Sequence, residues 1–174
     1  FEYKSYAHIR KNEIKKAKIT ASLIKTKRKQ NEVMFSIAKK SIELKQLDFA
    51  TPLIKNISNQ GKQIELKKME VAYYLTTNQI DTAIQIIRNN QGIPHMAKTV
   101  ILTLENNPVI IEDSQLETLI QLTSYPRGKF ELLGILSIHL VKKGQIEKGL
   151  ETLSYILDKD ILSKAEVEIS EILA

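Results

Sequence analysis

No cysteine and no tryptophan occur among the 174 residues; there are six glycines and four prolines, and aromatics fill only 6% of positions. Without cysteine there is no disulfide framework and no thiolate nucleophile, and oxidising and reducing compartments stay equally open, so localisation does not follow. With few aromatics and little strict polar/apolar alternation, strands are poorly supported. Lys, Glu, Gln, Leu, Ile and Ala are plentiful instead, and an all-α fold is predicted. No uncharged apolar run reaches the roughly 18 residues of a spanning helix, and no charged-then-apolar leader opens the chain, so membrane insertion is not expected.

Catalytic chemistry is equally thin. There is no glycine-rich phosphate loop: Gly128 and Gly144 fall at predicted helix boundaries, where turn geometry explains them. No serine sits in a nucleophile elbow. His8, His95 and His139 are far apart, and none has a second ligand at helical metal-binding spacing. His139 follows Ile138 and is read as an ordinary helical histidine. No metal, no cofactor and no enzyme activity is expected.

What is present is charge of one sign at one end. Residues 1–45 carry thirteen lysines and arginines against four glutamates, a net +9; with a total of +6, the remainder is −3. Lys11, Lys15, Lys18, Lys25 and Lys29 follow steps of four, three, seven and four, and are read as one face of one helix. An acidic protein partner or a solvated surface is the first reading of that face. Nucleic acid is the second, because no aromatic lies within the stripe to stack a base: Tyr3, Tyr6 and Phe35 fall outside it.

The clearest local pattern runs from Leu133 to Leu157. Leu133, Leu136 and Leu140 form one helical stripe, and Gly144 follows Lys142 and Lys143 where a helix ends in a left-handed residue. Ile146, Gly149, Leu150 and Leu153 then form a second stripe, with Gly149 as the small residue that lets two helices approach. A helical hairpin is predicted. It recurs: Ala17, Ala50, Ala83 and Gly149 are separated by 33, 33 and 66 residues, and Leu116 occupies the intervening place. Ile14, Leu47, Ile80 and Ile146 precede that residue by three, and Ala21, Ile54, Ile87, Ile120 and Leu153 follow it by four. Such a register is expected when each second helix presents the same face to its own hairpin and to its neighbour.

The first helices keep the step less cleanly. Met34, Ile37 and Ala38 correspond to Leu133, Leu136 and Ser137, and the place of Gly144 is taken by Asn78 in one copy and Lys45 in another. The copy from about Pro94 to Leu122 is irregular. Asn106, Asn107 and Pro108 are expected to end its first helix early, Val109 to Ile111 to form an apolar connector, and Ser114 with Glu117 to form a capping box. Because the chain opens on Phe1, and Leu173 and Ala174 stand one step after Leu140 and Val141 within a first helix, the array is read as truncated at both ends. The whole of 1–174 is read as one array with approximate units 1–30, 31–60, 61–92, 93–125, 126–158 and a partial 159–174.

These residues resemble the tetratricopeptide repeat, in divergent copies: a small residue in the first helix (Ala38, Ser137), glycine or asparagine at the turn (Gly144, Asn78) and a small residue early in the second helix (Ala17, Ala50, Ala83, Gly149). The strongest copy is 131–158. The resemblance implies a right-handed α-solenoid of about five hairpins whose first helices line a concave, non-catalytic groove for a peptide or partner protein. In that register the groove face comprises Phe35, Lys39 and Ile42, then Lys68, Ala72 and Leu75, then Lys98, Ile101 and Glu105, then Gly134, Ile138 and Lys142. Lysines over short apolar patches suit an acidic, apolar segment. The asparagines by which family members hold a terminal carboxylate are missing from these positions.

The expected role is therefore a protein-binding scaffold within a longer chain. The alternatives are a nucleic-acid-associated repeat using the basic front, or a docking segment of an enzyme whose catalytic domain lies elsewhere. Self-association through exposed array ends is expected too, since Leu162, Val167, Ile169, Ile172 and Leu173 belong to a half-unit without its second helix.

Overall fold

The fold was obtained as a computed structural model, which describes residues 1–90, 96–107 and 109–174. Among them are eleven helices and no strand: α1 Glu2–Arg10, α2 Ile14–Ser22, α3 Lys27–Glu43, α4 Leu47–Lys55, α5 Gln60–Thr76, α6 Ile80–Asn89, α7 Met96–Asn106, α8 Asp113–Leu122, α9 Pro126–Lys142, α10 Ile146–Ser154 and α11 Lys159–Leu173. The all-α expectation is met. The helices belong to two compact units, Phe1–Tyr73 and Tyr74–Ala174.

The step of 33 residues is visible in the element boundaries. The even-numbered helices α2, α4, α6, α8 and α10 begin at residues 14, 47, 80, 113 and 146. Longer helices begin at 27, 60, 126 and 159. Punctuation between them recurs at the same interval: Asn12, Lys45 and Asn78 have φ of 60, 60 and 56°, and Gly144 has φ of 79°. At each of these turns the next amide reaches five residues back, from Glu13 to His8 at 2.9 Å, Gln46 to Ser41 at 2.8 Å, Gln79 to Tyr74 at 2.8 Å and Gln145 to Leu140 at 2.9 Å. The left-handed residue itself donates three back, to Ile9, Ile42, Leu75 and Val141. Each pair of bonds is a Schellman closure, which satisfies carbonyls that a helix end otherwise leaves orphaned. Asparagine and glycine tolerate the left-handed backbone; lysine does so at a cost.

Packing follows the same order inside each unit. In the first, α1 packs on α2, α3 on α4, and α3 also on α1 and α2; in the second, α9 packs on α10, α8, α7 and α11. The small residues hold the places expected of them. Ala17, Ala50 and Ala83 are completely buried, as is Leu116, and Gly149 lies where a β-carbon would come 2.6 Å from Val141 Cγ2 and 3.0 Å from the Ser137 carbonyl. Ser137 Oγ donates to the Gly149 carbonyl at 2.6 Å, so α9 and α10 touch backbone to side chain. Ser5, Ala38 and Val71, equally buried, stand at the same register as Ser137.

Three expectations need correction. The capping box of α8 is formed by Glu112 and Gln115, not Ser114 and Glu117: the Glu112 amide donates to Gln115 Oε1 at 3.1 Å. The helix therefore starts at Asp113, in step with the others. Ile146 and Leu150 are 40 and 47% exposed, although Ile14, Leu47 and Ile80 are only 3 to 7% exposed. α6 packs against the next second helix, α8, whereas α10 packs on α9 and α11. In α11, Ile169 is buried and Leu162 and Ile172 pack against the cluster of Val141, Leu153, Ile156 and Ala165, leaving only Val167 and Leu173 of the named apolar residues exposed.

Two outcomes are expected in thermal or urea unfolding. Lys45→Gly removes a β-carbon from a left-handed site and raises stability by about 0.5–1 kcal/mol. Gly149→Ala lowers it by about 1–2 kcal/mol, because the clash with a fixed carbonyl outweighs the roughly 1 kcal/mol that alanine gains in a helix interior.

Candidate functional site

The first helices of the second unit enclose a cleft of about 780 Å³. Leu104 and Glu105 of α7, Gly134, Ile135 and Ile138 of α9, and Ile161 and Ala165 of α11 line it, with Val109 and Ile111 from the connector at one side. Helical spacing explains the α9 contribution: residues 127, 131, 134, 138 and 142 lie along one stripe. Gly134 stands opposite α11, where an added β-carbon would meet the Ala165, Ile161 and Ile156 side chains at ordinary contact distance, 3.7 to 3.9 Å.

Charge surrounds this apolar floor in balance. Lys164 of α11 reaches Glu105 of α7 at 3.0 Å, and Lys142 of α9 lies 3.6 Å from Glu168 of α11. Glu105 accordingly holds the Lys164 ammonium above its ordinary range, chiefly through their hydrogen bond. Arg127 lies 3.6 Å from Glu131 and 3.8 Å from Asp158. The rim thus carries acids as often as bases, which is not the lysine-dominated groove expected from the register alone.

The sequence-predicted residues divide between the two units. Glu105, Ile138 and Lys142 line this cleft, and Gly134 with them. Lys98, Ile101 and Glu105 line a second cleft of about 640 Å³, bordered by Met96, Leu119 and Tyr125. In the first unit, Phe35 and Lys39 are half-buried beneath α5: Lys62 Nζ sits 5.1 Å from the centre of the Phe35 ring and also pairs with Glu32, and Lys39 pairs with Glu65 at 2.9 Å. Lys68 and Ala72 are half-buried on α5. Ile42, Ile101 and Leu75 are buried and serve packing. The register missed the α11 wall, Ile161, Lys164, Ala165 and Glu168; their i, i+3, i+4, i+7 spacing was the available signal.

His139 borders the same cleft. Its Nε2 lies 3.2 Å from Asp113 Oδ1 but is not aligned to hydrogen-bond with it. Burial, aided by Lys143, pushes the imidazole below its ordinary value, against the opposing pull of Asp113. Asp113 is itself held below the usual carboxylate range by Lys143, whose Nζ is 2.9 Å away. Among the described residues no three His, Asp or Glu side chains converge as metal ligands would. His95 lies outside the described residues.

The basic stripe is not one helix face. Lys11 caps α1, Lys15 and Lys18 lie on α2, Lys25 falls in the following turn and Lys29 on α3, because the left-handed turn at Asn12 and the end of α2 at Ser22 interrupt the run. Two of the basic residues are already engaged: Lys29 pairs with Glu2 at 2.9 Å and Lys18 lies over the Phe49 ring. Glu13, which hydrogen-bonds Lys16 and His8, has its pKa pulled down to about 2.

Comparison with known proteins adds no relative: no family model, curated protein or solved structure matches the chain.

The lowered pKa of His139 sets a pH dependence. Unfolding lets the ring take up protons from its ordinary value of 6.5 downward, whereas the folded chain resists until lower pH. Stability is therefore expected to fall as pH drops below about 6.5. His139→Gln should flatten that part of a urea-unfolding pH profile.

Proposed function

We propose that this chain is a segment of a right-handed, tetratricopeptide-like α-solenoid, a non-catalytic scaffold that binds a peptide or protein segment in the cleft of α7, α9 and α11. The observation that carries this reading is the apolar floor of Ile138, Ile161, Ala165 and Gly134, laid along first helices that recur at a constant step. The cleft volume falls within the usual range for a bound ligand, roughly 300–1,000 Å³. Anchoring energy would come from burying one or two aliphatic side chains on that floor, about 1.5–3 kcal/mol for each.

The rim supports entry and orientation. The Glu105–Lys164 and Lys142–Glu168 pairs are largely exposed, so each contributes no more than about 1 kcal/mol and is readily exchanged. A guest carboxylate displaces Glu105 from Lys164 or Glu168 from Lys142, and the released acid turns to solvent. The partner is accordingly an extended or helical segment with aliphatic anchors and an acidic residue beside them.

Selection of random displayed peptides against the full chain tests this. Recovered peptides are expected to be aliphatic with an acidic neighbour, and Ile138→Glu or Lys164→Glu should weaken them by about tenfold or more. Lys45→Gly, in the other compact unit, should leave their affinity unchanged. Peptides whose binding ignores every cleft substitution would contradict the assignment.

A further inference from the structure

The second helices act as controls for one another, and the first of them is the exception. α4, α6, α8 and α10 each carry an acid in the opening turn, Asp48, Asp81, Asp113 and Glu147. Negative charge is favoured there by the helix dipole. α2 has none, and places Lys15 and Lys16 in that turn. Glu13 neutralises Lys16 at 2.8 Å, whereas Lys15 has no carboxylate partner among the described residues.

A second departure lies on the same row of the helix. Lys15, Ile19 and Leu23 follow one another at i, i+4 and i+8, and Ile19 and Leu23 are 66 and 51% exposed. Later copies hold Pro52, Gln85, Thr118 and Glu151 where the first has Ile19. Lys25, Lys27 and Arg28 come directly after, all exposed, and no acidic residue occurs between Glu13 and Glu32. Fold stability accounts for neither departure: the lysine opposes the dipole, and the exposed aliphatics bury little.

Aliphatic side chains rimmed by unpaired lysines are the surface that lies against an anionic bilayer. The apolar tips enter the headgroup boundary while lysine stems run along it and place their ammonium groups among phosphates. A nucleic acid would use the charge but has no role for Ile19 and Leu23, and stacking residues are missing from the row. No helix among the described residues is long and apolar enough to cross a membrane, so contact through α2 is interfacial. We propose that the outer face of α2, the Lys15–Ile19–Leu23 row with Lys25, Lys27 and Arg28 at its end, docks this chain on an anionic phospholipid surface.

Sedimentation of the full chain with phosphatidylcholine vesicles, with or without about one-third phosphatidylglycerol, tests the assignment. Binding is expected only to the anionic vesicles and should weaken as salt rises. Ile19→Ser with Leu23→Ser should reduce it by about tenfold, and Lys15→Asp with Lys27→Asp by about tenfold or more. Lys15→Asp alone restores the acid that the other copies carry, so it should lower vesicle binding while leaving the melting temperature unchanged or higher. Equal binding to neutral vesicles, or no binding to anionic vesicles at low salt, would overturn the proposal. So would insensitivity to the Ile19 and Leu23 changes together with tighter capture of a random-sequence single-stranded RNA.

Discussion

The closure of one helix onto the next at a left-handed residue governs this fold. A helix that ends leaves carbonyls without partners, and the bonds from Glu13, Gln46, Gln79 and Gln145 back into the preceding turn satisfy some of them while reversing the chain. Reversal alone does not make a stable pair. The two helices must also approach closely enough to exclude water, and the small residues supply that freedom: alanine at positions 17, 50 and 83, and glycine at 149, where even one added methyl group would meet a carbonyl. Turn and contact occur at the same interval because each is useless without the other.

From that pairing the candidate site follows. A hairpin buries one side of each helix and leaves a second apolar stripe to be covered by the next first helix, as α9 is covered by α11 and α7. Three first helices laid side by side leave a trough between their exposed edges, floored by Ile138, Ile161 and Ala165. Ion pairs such as Glu105–Lys164 cross that trough without filling it. Their exposure makes them weak, which suits a surface that must exchange its own contacts for those of a guest.

How much of this could be read from residues alone depended on how local the signal was. Helical content, the step of 33 residues, the buried Ala17, Ala50 and Ala83, and the turns at Lys45, Asn78 and Gly144 were legible, because each rests on a few neighbouring residues. Asn12 holds the equivalent turn and went unread, as the lysine spacing around it mimicked an unbroken helix. Nothing in residues 20–26 announces the end of α2: no glycine or proline stands there, and Leu23 closes the helix in a right-handed conformation. The cleft was legible only in part. Glu105, Ile138 and Lys142 follow from the register, but the α11 wall and the acids that balance the rim depend on which helices become neighbours.

If the interval is the true structural unit, whole steps of the chain should be interchangeable. Excising Leu47–Gln79 joins the end of one left-handed turn to the start of an equivalent second helix, whereas excising Leu47–Leu75 joins α4's entry to a turn out of register. Circular dichroism through thermal unfolding of the two shortened chains compares them directly. The account predicts that the first keeps the parent's helicity per residue and unfolds cooperatively, and that the second loses both. Equal loss in the two, or equal retention, would contradict a fold built from a repeating helical pair.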